Sequence, residues 1–213
     1  TEFHAAHGRR QRVFCASLAD VFDNEVPREW RDDLATLILN TPNLDWLLLT
    51  KRIGNAGAML GEMFLDGPPS NIRVGMTAVD QTELERDIDK LLRLRLPNFL
   101  SLEPLLGPID LQRACTSCCP NRDCFSDGRR RFVIDSENGG THAECVCSRL
   151  NGLQWVIAGS ESGPHARPAH LEWFRSLRRQ CEAAGVAFMM KQMGREVLDT
   201  GMSSPGEHWP ADM

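Results

Sequence analysis

Six short apolar runs, spaced at nearly regular intervals, constrain this chain more than any other feature. They are RVFCAS (12–17), DWLLLT (45–50), IRVGMT (72–77), NFLSLE (98–103), QWVIAGS (154–160) and VAFMMKQ (186–192). Each is rich in β-branched, aromatic or long aliphatic residues and is almost continuous instead of alternating, the habit of strands covered on both faces in a parallel sheet. Helical patterns separate them at 27–40, 55–64, 82–94 and 171–184, with Gly185 placed as a C-cap and Pro97 marking where the third helix has already ended. Successive strand starts lie 33, 27, 26, 56 and 32 residues apart, which is the size of a βαβ unit at every step but one. Repeated βα units either close towards a barrel or lie open as a doubly wound sheet, and spacing alone does not choose.

The long interval marks an insertion. Residues 113–150 hold six of the eight cysteines, together with Arg129, Arg130 and Arg131, so the chain divides into a barrel-like body (1–112 with 151–213) and a cysteine-rich module (113–150). The whole chain has an ordinary globular composition, 42% hydrophobic and 25% charged, with a formal net charge of −5. That balance argues against a surface that coats nucleic acid indiscriminately, while leaving room for a local basic groove. No apolar run approaches the roughly 20 residues of a membrane span. The N-terminus is polar and arginine-bearing and has no signal-peptide core, which predicts a cytoplasmic protein. The chain opens on Thr1 and reaches its first strand within a dozen residues, which suggests that upstream sequence has been lost.

In both architectures ligands bind beyond the carboxyl ends of the strands, so the polar residues just after each run are the candidates for function. They are Ser17 and Asp20; Thr50, Lys51 and Arg52; Thr77; Glu103; Ser160, Glu161 and Ser162; and Lys191 with Gln192. Lys51, Arg52 and Lys191 can hold an anionic group, arginine in a bidentate pair. Glu103, Glu161 and Lys191 are the candidates for catalysis, the two carboxylates as general bases or ribose contacts. Lys51, Arg52, Thr77, Ser160, Ser162, Arg167 and Gln192 are the candidates for cofactor binding, Arg167 from the small-residue loop GSESGPHARP (159–168). Pro104 stiffens the loop that carries Glu103. Strand ends decorated with ordinary loop residues would look much the same one position at a time; the concentration of charge is what favours a shared rim.

Scattered histidines without HExxH spacing argue against a histidine-rich metal centre, and no GxSxG elbow supports a serine hydrolase. Cys15 and Cys181 fall on a strand and a helix, where thiols most often pack. The insertion is different. In a cytosolic chain, cysteines at such spacing are better read as Zn²⁺ ligands than as disulfides: Cys115 and Cys118 form one half-site and Cys145 and Cys147 the other, with Cys119, Cys124 and His142 as substitutes. The alternatives are an iron-sulfur cluster, or free or disulfide-linked cysteines. The triple arginine reads as a solvated charge run or a nucleic-acid contact.

The phrases DWLLLTKR, RVGMTAVDQ, FLSLEPLLGPIDL, WVIAGSESGPHARP and QCEAAGVAFMMKQMG, in that order, resemble a phage- and prophage-encoded family of uncharacterised function, over about residues 12–194. Its members are similar to radical S-adenosylmethionine enzymes. The resemblance implies an α/β fold with a partial (β/α) TIM-like barrel of about six parallel strands. It also implies S-adenosylmethionine and a [4Fe-4S] cluster as cofactors in the full-length protein; position at the strand ends then makes Lys51, Arg52, Glu103, Glu161, Lys191 and Gln192 the residues expected to line the cavity. The family's three-cysteine motif should precede the first strand; nothing like CxxxCxxC stands there, so no iron ligand transfers to this chain. The competing expectation is a zinc-containing binding module without catalysis, for nucleic acid or a phage protein.

Overall fold

The structure, a computed structural model, describes residues 2–15, 19–111, 130–134, 141–145, 152–194 and 197–198. A short helix α1 (Glu2–His7) leads into β1 (Gln11–Cys15), followed by α2 (Arg28–Leu39), β2 (Leu44–Thr50), α3 (Ile53–Met63), β3 (Ile72–Thr77), α4 (Gln81–Arg93) and β4 (Asn98–Leu102). Strands β5 (Arg130–Ile134) and β6 (Thr141–Cys145) come next, then β7 (Trp155–Gly159), β8 (Ala169–His170), α5 (Leu171–Ala184), β9 (Ala187–Gln192) and β10 (Val197–Leu198). The six apolar runs become one parallel sheet in the order β1-β2-β3-β4-β7-β9, so neighbours in the sheet are neighbours along the chain. The doubly wound alternative, whose strand order reverses partway, is thereby excluded.

The sheet is curled into a half-barrel. The Phe14 ring on β1 lies 6.0 Å from the Phe99 ring on β4, and the Arg12 guanidinium on β1 stands 4.9 Å from the Trp155 ring centroid on β7. Flat, those strands would be three and four ladder spacings apart, roughly 14 and 19 Å. Only a concave face brings such side chains together.

Alternation sorts each strand between two environments. Trp46, Leu48, Ile72, Val74, Met76, Leu100, Leu102, Val156 and Ala158 face the helices and form most of the main core. Leu47, Phe99 and Ile157, with Leu49, Trp155 and Met189, line the concave side in a small cluster of their own. The helices return the same logic at helical spacing: Arg31, Ala35 and Ile38 are buried on α2, and Leu84, Asp87, Ile88 and Leu91 on α4. α4 starts where Asp80 accepts the Glu83 N–H at 2.8 Å while the Glu83 carboxylate reaches back to the Val79 N–H at 3.1 Å, a close variant of the capping box. α5 stops at Gly185, whose φ of 68° is the left-handed conformation glycine adopts without a Cβ penalty. Burial tends to raise the Asp87 carboxyl, but hydrogen bonds from Arg86 and Lys90 outweigh it and hold the group below its usual range.

Within 113–150 the described residues form one antiparallel ladder, β5 with β6, Arg130 opposite Cys145 and Ile134 opposite Thr141. Cys145 and His142 thus lie on β6, whereas Cys115, Cys118, Cys119, Cys124 and Cys147 lie outside the described residues. Among the described residues no helix is long and apolar enough to cross a membrane.

Candidate functional site

The polar strand ends sort into three groups once the sheet is curled. The first is on the concave side. Thr77 and Ser101 are register partners at the ends of β3 and β4, both buried, and Glu103 continues the same alternation two residues on. The Lys191 ammonium donates to Glu103 Oε2 at 2.9 Å, reaching from β9 across β7. It can do so because β7 offers only Gly159 there: a Cβ at that position would stand 3.1 Å from Glu103 Oε1. Thr77, with only 8% of its surface exposed, has a buried hydroxyl that finds no hydrogen-bond partner among the described residues. A buried hydroxyl without a partner costs free energy, and a ligand group at the mouth would recover it.

The second group surrounds Arg52, and it is committed to holding the fold. Asp20 accepts the Thr50 hydroxyl at 2.7 Å, the Lys51 N–H at 2.8 Å and the Phe22 N–H at 3.0 Å, tying the loop after β1 to the end of β2. Arg52 pairs with Asp23 at 2.8 Å and sits 3.5 Å from Asp20. Lys51 is exposed beside it and makes no ion pair among the described residues. Ser17 lies outside the described residues.

The third group is the loop after β7. Arg167 donates its backbone N–H (2.7 Å) and Nε (2.8 Å) to Glu161 Oε2, and a terminal nitrogen to Oε1 (2.8 Å). Those side-chain and backbone hydrogen bonds pull the Glu161 carboxyl down to about 2. A carboxylate held so low is a weak proton acceptor near neutrality, and its visible work is to close the 161–167 loop. Ser162 is exposed on that loop. Ser160 is buried on the helix side of β7: its hydroxyl accepts from the Gly194 N–H, and its carbonyl accepts from the Gln192 side chain at 3.3 Å. Both residues fasten β7 to the end of β9.

Three of the predicted residues therefore share the concave mouth through Thr77, Glu103 and Lys191, while Arg52, Ser160, Arg167 and Gln192 are engaged elsewhere. Ser101, Gly159 and Asp23 were missed by the sequence reading. Counting by twos from Phe99 through NFLSLE reaches Ser101 and Glu103 on one face, a signal that was available. Among the described residues no group of three or more His, Cys, Asp and Glu is placed to hold a metal ion. Burial raises the Cys15 thiol, and burial with Glu182 nearby pushes Cys181 up to about 12, the reverse of what a thiolate ligand needs.

Fold and rim together define an open (β/α) half-barrel with a polar mouth beyond the carboxyl ends of its strands. The chain belongs to the family described as "Protein of unknown function (DUF5131)", whose model matches residues 3–209. No curated protein and no solved structure gives a significant match to it.

Proposed function

We propose that the chain is the barrel portion of a radical S-adenosylmethionine-type protein carried by phages or prophages, and that its concave mouth binds S-adenosylmethionine. The observation that carries this reading is the Glu103–Lys191 pair seated over Gly159, on the same face as the Thr77 hydroxyl, which has no partner among the described residues. An amino-acid moiety presents one ammonium and one carboxylate, and it can exchange with such a pair: Glu103 accepts from the ammonium and Lys191 donates to the carboxylate. Thr77 and Ser101 offer hydroxyls to a ribose. A [4Fe-4S] cluster would supply one-electron reduction of the sulfonium, but the described residues contain no three-thiolate set to hold it.

The test is equilibrium dialysis with S-adenosylmethionine. Glu103→Gln and Lys191→Met should each weaken binding by roughly tenfold or more, as expected for a lost charge-assisted hydrogen bond. Unchanged affinity in both variants would remove the mouth from the reading. A second reading rests on the six cysteines between 115 and 147, which suit a zinc-bearing module that binds nucleic acid or a phage protein without catalysing anything. Zinc at one equivalent, with no S-adenosylmethionine bound, would favour it.

A further inference from the structure

Among the described residues the opposite end of the concave trough is basic, with three arginines to one carboxylate. Arg10, Arg12 and Phe14 alternate onto that face from β1 and the residue just before it, and Arg73 joins them from β3. Among the described residues Asp45 is the one carboxylate paired with any of these three guanidinium groups, and it reaches only Arg10 and Arg73. Arg10 stands 3.5 Å from one Asp45 oxygen and Arg73 3.6 Å from the other, both longer than a charge-assisted hydrogen bond. Arg12, whose backbone is the register partner of Asp45, lies over the Trp155 ring. Arg73 gives one terminal nitrogen to Gln154 at 2.8 Å, while its Nε is buried with no partner among the described residues. An arginine cluster that merely plugged the trough would be expected to satisfy its buried donors and to match its charges. Among the described residues this one does neither, and Phe14 beside it is 42% exposed.

We propose that this end of the trough binds the phosphate of a nucleotide, with the base lying on the exposed face of Phe14. Planar forked donors suit phosphate oxygens, and aromatic rings stack bases of any sequence. Arg12 and Phe14 are two residues apart on one strand, about 6.6 Å, a span that a ribose bridges between phosphate and base. The site lies at the strand ends opposite to the mouth that holds Glu103 and Lys191, so it stands or falls independently of S-adenosylmethionine binding there.

Calorimetric titration of the whole chain tests it, with AMP, inorganic phosphate, adenosine and a short single-stranded oligonucleotide as probes. AMP should bind at least tenfold more tightly than either phosphate or adenosine, because only AMP engages both features. Arg73→Gln and Arg12→Gln should each weaken AMP by roughly tenfold or more, the equivalent of one charge-assisted bond. Phe14→Leu should weaken AMP while leaving inorganic phosphate unaffected. Arg12 is exposed on an edge strand, so its variant does not depend on the fold tolerating a core change. Arg93→Gln, which removes the same charge from the last turn of α4, should leave AMP binding unchanged. Tighter binding of the oligonucleotide would place the phosphate in a nucleic-acid strand, and equal binding in a free nucleotide; both support the site. The proposal fails if AMP binds no better than phosphate, or if Arg93→Gln costs as much as Arg73→Gln. It also fails if S-adenosylmethionine, which has no phosphate, displaces AMP.

Discussion

Gly75 offers the sharpest test of how the concave side is packed. It lies on β3 opposite Phe99, and a Cβ there would fall within 2.5 Å of three carbon atoms of the Phe99 ring, where ordinary contact begins at 3.4 Å. The ring has little room to retreat: Phe99 is fully buried, with the Phe14 and Trp155 rings each 6.0 Å away. Forcing one methyl into a filled site costs about 1–3 kcal/mol. The same substitution restricts the unfolded chain, which returns about 0.4–1 kcal/mol because the position does not require positive φ. The net expectation for Gly75→Ala is destabilisation by up to roughly 2.6 kcal/mol. For a chain of 213 residues, at about 2–4 °C per kcal/mol, that lowers Tm by up to roughly 10 °C. Phe99→Leu alone is also destabilising, since it leaves a void beside Ile157 and Trp155. The double variant should be more stable than the sum of the two predicts, by a coupling of about 0.5–3 kcal/mol. Urea unfolding followed by circular dichroism gives all three free energies. If Gly75→Ala is more stable than the parent protein, or if the two changes simply add, the ring is not wedged over Gly75 and the account of the inner cluster is wrong.

Other expectations concern single groups. Arg167→Ala should return the Glu161 carboxyl from about 2 towards its ordinary value of 4.5, visible in an NMR titration; because the native value is the lower one, whatever the contact adds to stability is present above pH 4.5 and fades as pH falls towards 2. Gly159→Val should crowd Glu103 and separate it from Lys191. Since Lys191 is half exposed the pair itself contributes at most about 1 kcal/mol, so ligand affinity at the mouth should fall far more than Tm, and equal losses would count against a binding role. Asp80→Ala removes the cap of α4 and should cost about 0.5–2 kcal/mol in urea unfolding, with Asp80→Asn close to neutral. Cys181, buried and pushed to about 12, should resist alkylation at pH 8 in the native protein and react on denaturation.

The six strands were legible to within about two residues, because each apolar run is dense enough to admit no other element. α4 was legible through its apolar spacing over 82–94 and the stop at Pro97, and α5 through Gly185, whereas the Asp80 cap of α4 was not read. The two-residue strands β8 and β10 were not, since two residues carry no periodicity. The mouth was only half legible. Position after a strand says that Lys51, Glu103, Glu161 and Lys191 lie near one rim, but not which partner each finds. Glu161 is taken by Arg167, six residues on, and Arg52 by Asp23, whereas Glu103 meets Lys191 only because the strand between them presents a glycine. Such pairings depend on curl and register, which a single sequence does not state. The basic end of the trough escaped notice because Arg10 and Arg12 precede or open a strand, and in folds of this class attention goes to the other end.

Because the six strands of the main sheet lie side by side in the order they occur along the chain, each of them after the first rests on the previous strand of that sheet. A ribosome could lay down such a molecule unit by unit, each new segment docking on a finished edge without waiting for distant partners. Pulled from its C-terminal end, the sheet should peel in discrete steps, β9 first. Pulled from its beginning it should resist longer, because the first strand is clasped across the hollow by residues made much later.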